Sequence, residues 1–439
     1  KQNRLTIDVS QAGNLHGLVG IEQGIGLDVV PGVSAGFTHE HANDRAYGNL
    51  DPSLDAFYRI TPSVTGALTV NTDFSASAVD ARQVNLSRFS LFFPETRDFF
   101  LQDAGIFDFP IGDEATVNGT PFFSRRIGID EDGEPVDIRA GAKVTGRVGA
   151  VNLGFLDVQM AGHGDVDAKN LAVGRVKVNF GEESYFGVVS THGDPTSNGS
   201  NSLFGADLNF RTRRFRGDKT LIGRAWAQHT TTPGTLGRDH ALGFRISYPN
   251  DLWNWAIGAR QIGDDFNPAL GFVNRTGIRT FDAFLRRRFR PVGGAVRIVE
   301  TQLDGVLVLD LGNDLESIAL RPTFLRVENQ AGDFVALLGE WRTEVLDEAF
   351  EISDGVFVEK DRYDFGRLTL SVGTATSRPF RVQFDFGAGS FFSGHIRAGR
   401  ALFEWRPSEH FFASVEYLQN SVRLRGGDFT TRLGRIRAN

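Results

Sequence analysis

The sequence of 439 residues contains no cysteine and a single methionine. The first absence excludes disulfide frameworks, thiolate nucleophiles and every zinc site that relies on Cys ligands. Long apolar runs are missing too: nothing approaches the ~18 consecutive apolar residues of a membrane-spanning helix. Neither sign of charge dominates. Lys and Arg number 47 against 54 Asp and Glu, a net charge of −7, which excludes a polybasic nucleic-acid binder. With 41% hydrophobic and 23% charged residues, the composition also excludes disorder. The start, Lys1-Gln2-Asn3-Arg4, has no initiator Met, apolar signal core or cleavage site. The chain therefore reads as an interior piece of a longer protein. Residues 1–25 are expected to be a linker or the tail of a missing N-terminal domain, and Asn439 is not expected to be a natural end.

What is abundant is glycine and phenylalanine. Gly numbers 51, about 12% against a usual ~7%, and Phe numbers 38. Both are poor helix formers, and aromatics favour strands. Alternation with period two recurs along most of the chain. In Phe380-Arg381-Val382-Gln383-Phe384-Asp385-Phe386, one face carries Phe, Val, Phe and Phe, the other Arg, Gln and Asp. The pattern returns at 142–148, where Lys143, Thr145 and Arg147 oppose Val144 and Val148, and at 175–180 and 242–248. About 20 such segments of roughly 10–14 residues are visible. Soluble strands average ~5–6 residues, whereas a tilted membrane-spanning strand needs ~9–11.

Connections separate the alternatives. Counting from a first strand near 26–38, joins after even-numbered strands are tight: Thr61-Pro62-Ser63, Gly181-Glu182-Glu183, Pro249-Asn250-Asp251 and Arg406-Pro407-Ser408. Joins after odd-numbered strands are generally longer, as at 263–276 and 346–360, and the longest is 72–137. Short turns at one rim and long loops at the other is the plan of a transmembrane barrel; a soluble sandwich or propeller gives no reason for that bias. The expected fold class is all-β, one large antiparallel transmembrane β-barrel over 26–439 with the insert 72–137 folded in its lumen. Val382, Phe384 and Phe386 should then face lipid, and Arg381, Gln383 and Asp385 the lumen. Trp253, Trp255, Tyr248, Trp405 and Tyr417 are expected near strand ends, as girdle aromatics are.

The stretch from Thr69 reads TVNTDFSASAVDARQVNLSRFSLFFPETRDFFLQDAGIFDF, followed by PFFSRRIG from Pro121 and GAKVTGR from Gly141. With DDFNPALGFVNRT from Asp264 and FTTRLGRIRAN from Phe429, it resembles a family of bacterial outer-membrane barrels of unknown function. That family usually follows a domain similar to family-nine carbohydrate-binding modules. The resemblance runs from about 27 to the end and is most specific over 71–109. The carbohydrate-binding-like domain is absent, although 5–22 has room for its trailing edge, and the terminal aromatic residue common to such barrels is missing. The resemblance implies the outer membrane of a Gram-negative bacterium and, for a whole barrel, 22–26 strands, of which about 20 are visible here.

The insert 72–137 sets Phe92, Phe93, Phe99, Phe100, Phe107, Phe109, Phe122 and Phe123 beside Arg88, Arg97, Arg125 and Arg126. So aromatic a segment would be an aggregation hazard in water, and its composition argues against disorder. It is expected to form an internal plug; a loop capping the mouth for stability is the alternative. Arg125 and Arg126, with inward-facing Lys143, Arg147, Arg175 and Lys177, could form a basic lumen wall that selects ions. The simpler expectation is that they pair with Asp98, Asp103, Asp108 and Asp113 of the plug.

Other constellations are weaker. His39, His41 and Asp44 have ligand chemistry but no fixed third ligand. Asp130-Glu131-Asp132-Gly133 opens like a calcium loop, yet position twelve is Gly141 rather than Glu. Ser190, His192 and Asp194 share one strand face, where same-face neighbours stand ~7 Å apart, too far for a hydrolytic triad. The expected protein is therefore not an enzyme and holds no cofactor or metal. It is expected to be an outer-membrane channel or transport barrel constricted by its insert, with saccharides favoured only through the family's usual companion domain. The alternative is a non-conducting anchor or scaffold for a partner. Expected partners are outer-membrane lipid and lipopolysaccharide and a periplasmic or surface protein, with no nucleic acid.

Overall fold

The computed structural model describes residues 24–40, 45–72, 82–111, 118–131, 133–235 and 237–438. The strands in chain order are β1 (Leu27–Glu40), β2 (Arg45–Thr61), β3 (Val64–Thr72), β4 (Ile138–Val148), β5 (Val151–Met160), β6 (Lys169–Phe180), β7 (Ser184–His192) and β8 (Ser202–Phe215). There follow β9 (Lys219–Thr231), β10 (His240–Pro249), β11 (Trp253–Ile262), β12 (Ile278–Phe289), β13 (Val296–Asp310), β14 (Leu315–Asn329) and β15 (Phe334–Val345). A separate hairpin, β16 (Phe350–Ser353) and β17 (Val356–Val358), precedes β18 (Arg362–Gly373), β19 (Phe380–Phe391), β20 (Gly394–Ser408), β21 (Phe411–Leu424) and β22 (Gly427–Ala438). All but the hairpin join one antiparallel sheet of 20 strands. Each pairs with its neighbours in sequence, so the sheet is a meander, and the all-β antiparallel expectation holds. Among the described residues no ladder joins β1 to β22.

The two rims differ as the sequence suggests. One carries the joins 62–63, 149–150, 181–183, 216–218, 250–252, 290–295, 330–333, 374–379 and 409–410. The other carries 73–137, 161–168, 193–201, 232–239, 263–277, 311–314 and 346–361. Several joins depart from the expectation: 392–393 and 425–426 are tight although they lie on the long-loop rim, 311–314 is short there too, and 290–295 and 374–379 on the other rim are longer than it. The β16–β17 hairpin supplies the cover that long loops give elsewhere. Its Val356 and Val358 are buried in one cluster with Ile396, Val422 and Leu424, and Phe391 and Phe392 pack against it.

Period-two alternation places two unlike faces on this sheet. One is apolar and uncovered: Phe155, Phe186, Phe204, Leu242, Phe244, Ile257, Phe281, Leu303, Leu368, Phe384 and Phe403 are all exposed, Phe204 at 59% and Phe386 at 61%. The pattern also changes along the strands, which the sequence reading did not resolve. Near the short-turn rim β6 shows exposed Val176, Val178 and Phe180 on this face and buried Lys177 and Arg175 on the opposite one. Near the long-loop rim the polarity inverts, with Asn170 outward and Leu171 and Val173 buried inward. β8 behaves alike, Phe204 and Leu208 outward below Ser202, with Leu203 buried inward. The buried core therefore lies on the inner face towards the long-loop rim.

Tyr248 and Trp255 stack at 5.7 Å beside the 250–252 turn, and Trp405 meets Phe411 edge-on at 5.5 Å beside 409–410, near the strand ends where they were expected. Tyr417 departs from that expectation: it sits opposite Ala401 in the middle of β21.

Candidate functional site: the insert and the inner wall

Arg97 organises the insert. The residue is 2% exposed, and a buried guanidinium must satisfy its donors. Nη1 donates to the Ile127 carbonyl at 2.7 Å, Nη2 to the Ser124 carbonyl at 2.9 Å, and Nε and Nη2 to the Glu95 carboxylate at 3.0 and 2.8 Å. The guanidinium also lies 4.1 Å from the centroid of the Phe100 ring. Burial pushes the Glu95 carboxyl up, but the hydrogen bonds and charge of Arg97 outweigh it and hold the group below the usual carboxylate range. These contacts tie 95–100 to 124–127 across the insert. A short helix, α1 (Asp98–Leu101), follows and buries Phe99 and Phe100.

The insert rests on the inner face of β4–β6. Phe99, Phe100 and Phe107 form one cluster with Leu156, Val158, Met160, Leu171 and Val173 of the wall. Glycines in the wall make room. A Cβ at Gly141 would stand 3.2 Å from Phe99, and one at Gly154 would stand 2.8 Å from Ile106 and 2.9 Å from Phe107. Phe92 and Phe93 are only half-buried, unlike Phe99 and Phe100; Phe92 stacks on Phe123 at 4.6 Å and meets Phe272 edge-on at 5.1 Å. The run from Asp264 supplies that partner: Phe272 and Thr120 exchange backbone bonds of 2.9 and 3.0 Å, and Phe123 N–H donates to the Leu270 carbonyl at 2.8 Å.

The wall's basic residues do meet the insert, chiefly through its backbone. Lys143 Nζ donates to the carbonyls of Phe99 and, at 2.6 Å, Gln102. Lys177 Nζ reaches the Gly105 carbonyl at 2.9 Å. Arg175 pairs with Asp207 of β8 at 2.5 and 2.9 Å and touches the Asp108 carbonyl at 3.1 Å. The carboxylate of Asp103 in the insert accepts from Thr145 at 2.7 Å, a neutral partner in place of the cation expected for it. Gln228 of β9, which the sequence did not single out, donates to the Gly119 carbonyl at 2.8 Å, and Trp226 packs edge-on to Phe109 at 6.1 Å. Arg147 stays at the short-turn rim, bonded to the Gly149 carbonyl at 2.9 Å. Arg125 donates to the Pro94 carbonyl at 3.1 Å and Arg126 to that of Ala269 at 3.4 Å.

The inner face of β13–β22 is different in kind. Here acids and arginines alternate from strand to strand. Asp385 pairs with Arg400 at 3.3 Å, Arg400 with Glu416 at 2.7 Å, and Glu416 with Arg435 at 2.8 Å. A second row runs from Asp304 through Arg321 and Glu340 to Arg367 at 2.7, 3.8 and 2.6 Å. Arg381 pairs with Glu404 at 2.8 Å, so the face expected to be inward is the charged one. Residues 84–89 lie across this wall and enclose a cavity of about 310 Å³ with Glu340, Arg342, Arg367 and Phe392. Few polar contacts hold them. Arg88 approaches Glu344 at 4.0 Å and the Val345 carbonyl at 3.5 Å; Arg435 donates to the Arg82 carbonyl at 3.3 Å; Arg275 lies 5.3 Å over the Phe89 ring.

Ser190 and His192 point outward and are exposed, and His192 Nδ1 bonds Ser202 Oγ at 2.8 Å. Asp194 instead orders its own loop through Thr196 and Ser197. Asp130 accepts the Glu134 N–H at 2.8 Å within a tight turn. The side chains of His39 and Glu40, and all of 41–44, lie outside the described residues, as do 112–117 with Asp113.

A family model described as a domain of unknown function (DUF5916) matches residues 24–162, which spans β1–β5 and the stretches from Thr69, Pro121 and Gly141, but not those from Asp264 and Phe429. No curated protein matches. Among solved structures, the chain is similar to OccK5 (OpdH) of Pseudomonas aeruginosa, with TM-score 0.40, 12% identity, and coverage of 69% of this chain and 92% of that one. The outer membrane protein opdK of the same organism gives 0.40, 11%, 70% and 94%. A BenF-like porin from Pseudomonas fluorescens Pf-5 gives 0.35, 10%, 94% and 97%.

Proposed function

We propose that this chain is an outer-membrane barrel of a Gram-negative cell that conducts solutes through a lumen constricted by its insert. The observation that carries the reading is the unlike pair of faces on one continuous sheet. Monomeric soluble proteins rarely expose apolar patches beyond a few hundred Å², yet here an uncovered apolar face runs across the sheet while charge lines the other side. That arrangement suits lipid outside and water inside. The insert supports curvature. It touches β4 through Phe99 and β22 through Arg82. In a flat sheet these strands would stand about 75 Å apart at ~4.8 Å per strand. The chain between Arg82 and Phe99 can stretch at most about 60 Å, and it bends at 87–89. A sheet curled round the insert resolves the mismatch, with the insert in the lumen.

Within that lumen the two parts of the insert have different roles. The body from Glu95 onward is fixed by buried bonds to β4, β6 and β9. The strap 82–92 crosses the arginine–acid wall with few polar contacts among the described residues before Phe92 anchors it on Phe123 and Phe272, and it is the element we assign to gating. The rigidity of the body favours a second reading, a closed barrel that anchors a partner and conducts nothing. Planar-bilayer conductance of the native chain and of one lacking 82–92 separates them. Larger, stable conductance without the strap is the expected result; silence in both forms overturns the channel in favour of the anchor.

A further inference from the structure

We propose a binding site for a phosphate-bearing lipid on the outer face of β19–β21, at the upper border of the apolar band. The inference rests on the membrane reading above. Strand register arranges this face in rows. Phe384, Ala401 and Tyr417 stand side by side, and the next row is Phe386, Gly399 and Gln419. Above them come Ala388, Arg397 and Ser421, then Ser390, His395 and Arg423. Apolar residues give way to cations within two rows. Gly399 lies at the border, and a Cβ there would meet nothing within 4 Å. This gap is the floor of a groove bounded by Phe386 and Tyr417 below and by His395, Arg397 and Arg423 above.

The cations have unused capacity. His395, Arg397 and Arg423 are exposed. Arg423 approaches Asp428 at 3.6 Å with both side chains largely in solvent, and Arg397 forms no ion pair among the described residues. Arg397 and Arg423 are diagonal cross-strand neighbours, about 7–8 Å apart, a spacing that one phosphate group can bridge. Guanidinium forks bind phosphate oxygens in bidentate fashion, and an acyl chain descending from that phosphate would lie along the Gly399 gap beside Phe386 and Tyr417. The occupant we commit to is the phosphorylated saccharolipid of the outer leaflet, because the groove lies towards the long-loop rim, the outward rim in the barrel plan.

Native mass spectrometry of the folded 439-residue chain in detergent tests this with bisphosphorylated lipid A and its dephosphorylated form as probes. The native chain should retain the bisphosphorylated form about tenfold better, corresponding to the ~1.4 kcal/mol of one charge-assisted contact set. R397A/R423A should bring the two forms close to parity while the chain still inserts into bilayers. A second variant, Gly399→Leu, fills the groove, leaves every cation in place and should lower retention of both forms. Equal retention of the two lipids by the native chain, or a preference untouched by R397A/R423A, overturns the site. A native chain that fails to enter bilayers at all overturns the membrane reading instead.

Discussion

Replacing Arg97 by Met removes the guanidinium that joins the two halves of the insert. The structure sets the size of the effect. Four hydrogen bonds disappear, and the Glu95 carboxylate is left buried without its counter-charge. Breaking a buried pair from one side costs about 3–5 kcal/mol, so the locally opened state of the insert should become at least ~100-fold more populated. Hydrogen exchange reads this directly. The Leu101, Gln102, Ile127 and Val136 amides, all bonded within the insert, should lose roughly 100-fold protection or more, while amides of β13–β15 keep theirs. Substituting Glu95 by Met as well removes the stranded charge and should restore part of the loss, although the Ile127 carbonyl still lacks its donor. Loss of less than about threefold protection in R97M would refute the organising role of this pair.

Further expectations follow from the same contacts. Because Glu95 is held below its usual value of 4.5, its contribution is fully present above that pH and is lost as pH falls through the lower folded-state value; exchange protection of the insert, measured from pH 7 down to 3, should decline only below about 4.5. Phe99→Ala should destabilise the insert by about 3–5 kcal/mol, as large buried aromatics do, whereas half-buried Phe92→Ala should cost clearly less in the same exchange assay. Gly154→Val places a Cβ against Ile106 and Phe107 and should expose the insert to limited proteolysis without lowering the strand content seen by circular dichroism. An arginine in place of Phe384 should reduce the yield of folded, heat-modifiable barrel, in line with about 2–4 kcal/mol for a midplane cation, while Gln383→Arg on the charged face should not.

Much of the sheet was legible because alternation reports facing directly. Phe380–Phe386 and the 142–148 segment fall on the faces read for them, and the rim asymmetry followed from turn residues such as Pro62 and Asn250. The hairpin β16–β17 was not legible: Phe350–Ser353 and Val356–Val358 are too short to stand out from a loop, and only packing over 392–393 and 425–426 gives them a reason to pair. The inversion of polarity along β6 had a signal, Leu171 and Val173 on the face of Arg175 and Lys177, but alternation alone does not say that an apolar core adjoins a charged stretch of the same face. Lys143, Arg175 and Lys177 were found together because they share a face. Their partners could not be read, since backbone carbonyls of Phe99, Gln102 and Gly105 carry no sequence signature, and Asp207 competes for Arg175 from a distant strand. Gln228 was missed for the same reason.

The absence of cysteine makes the most direct measurement clean. Single cysteines introduced in turn at 380–386 and spin-labelled in lipid bilayers report whether each position meets lipid or water. The account predicts a period-two profile, with apolar oxygen reaching the label best at 382, 384 and 386 and a polar nickel complex reaching it best at 381, 383 and 385. A profile without alternation, or with the two sets exchanged, would contradict the claim that this sheet holds lipid on one side and a water-filled lumen on the other.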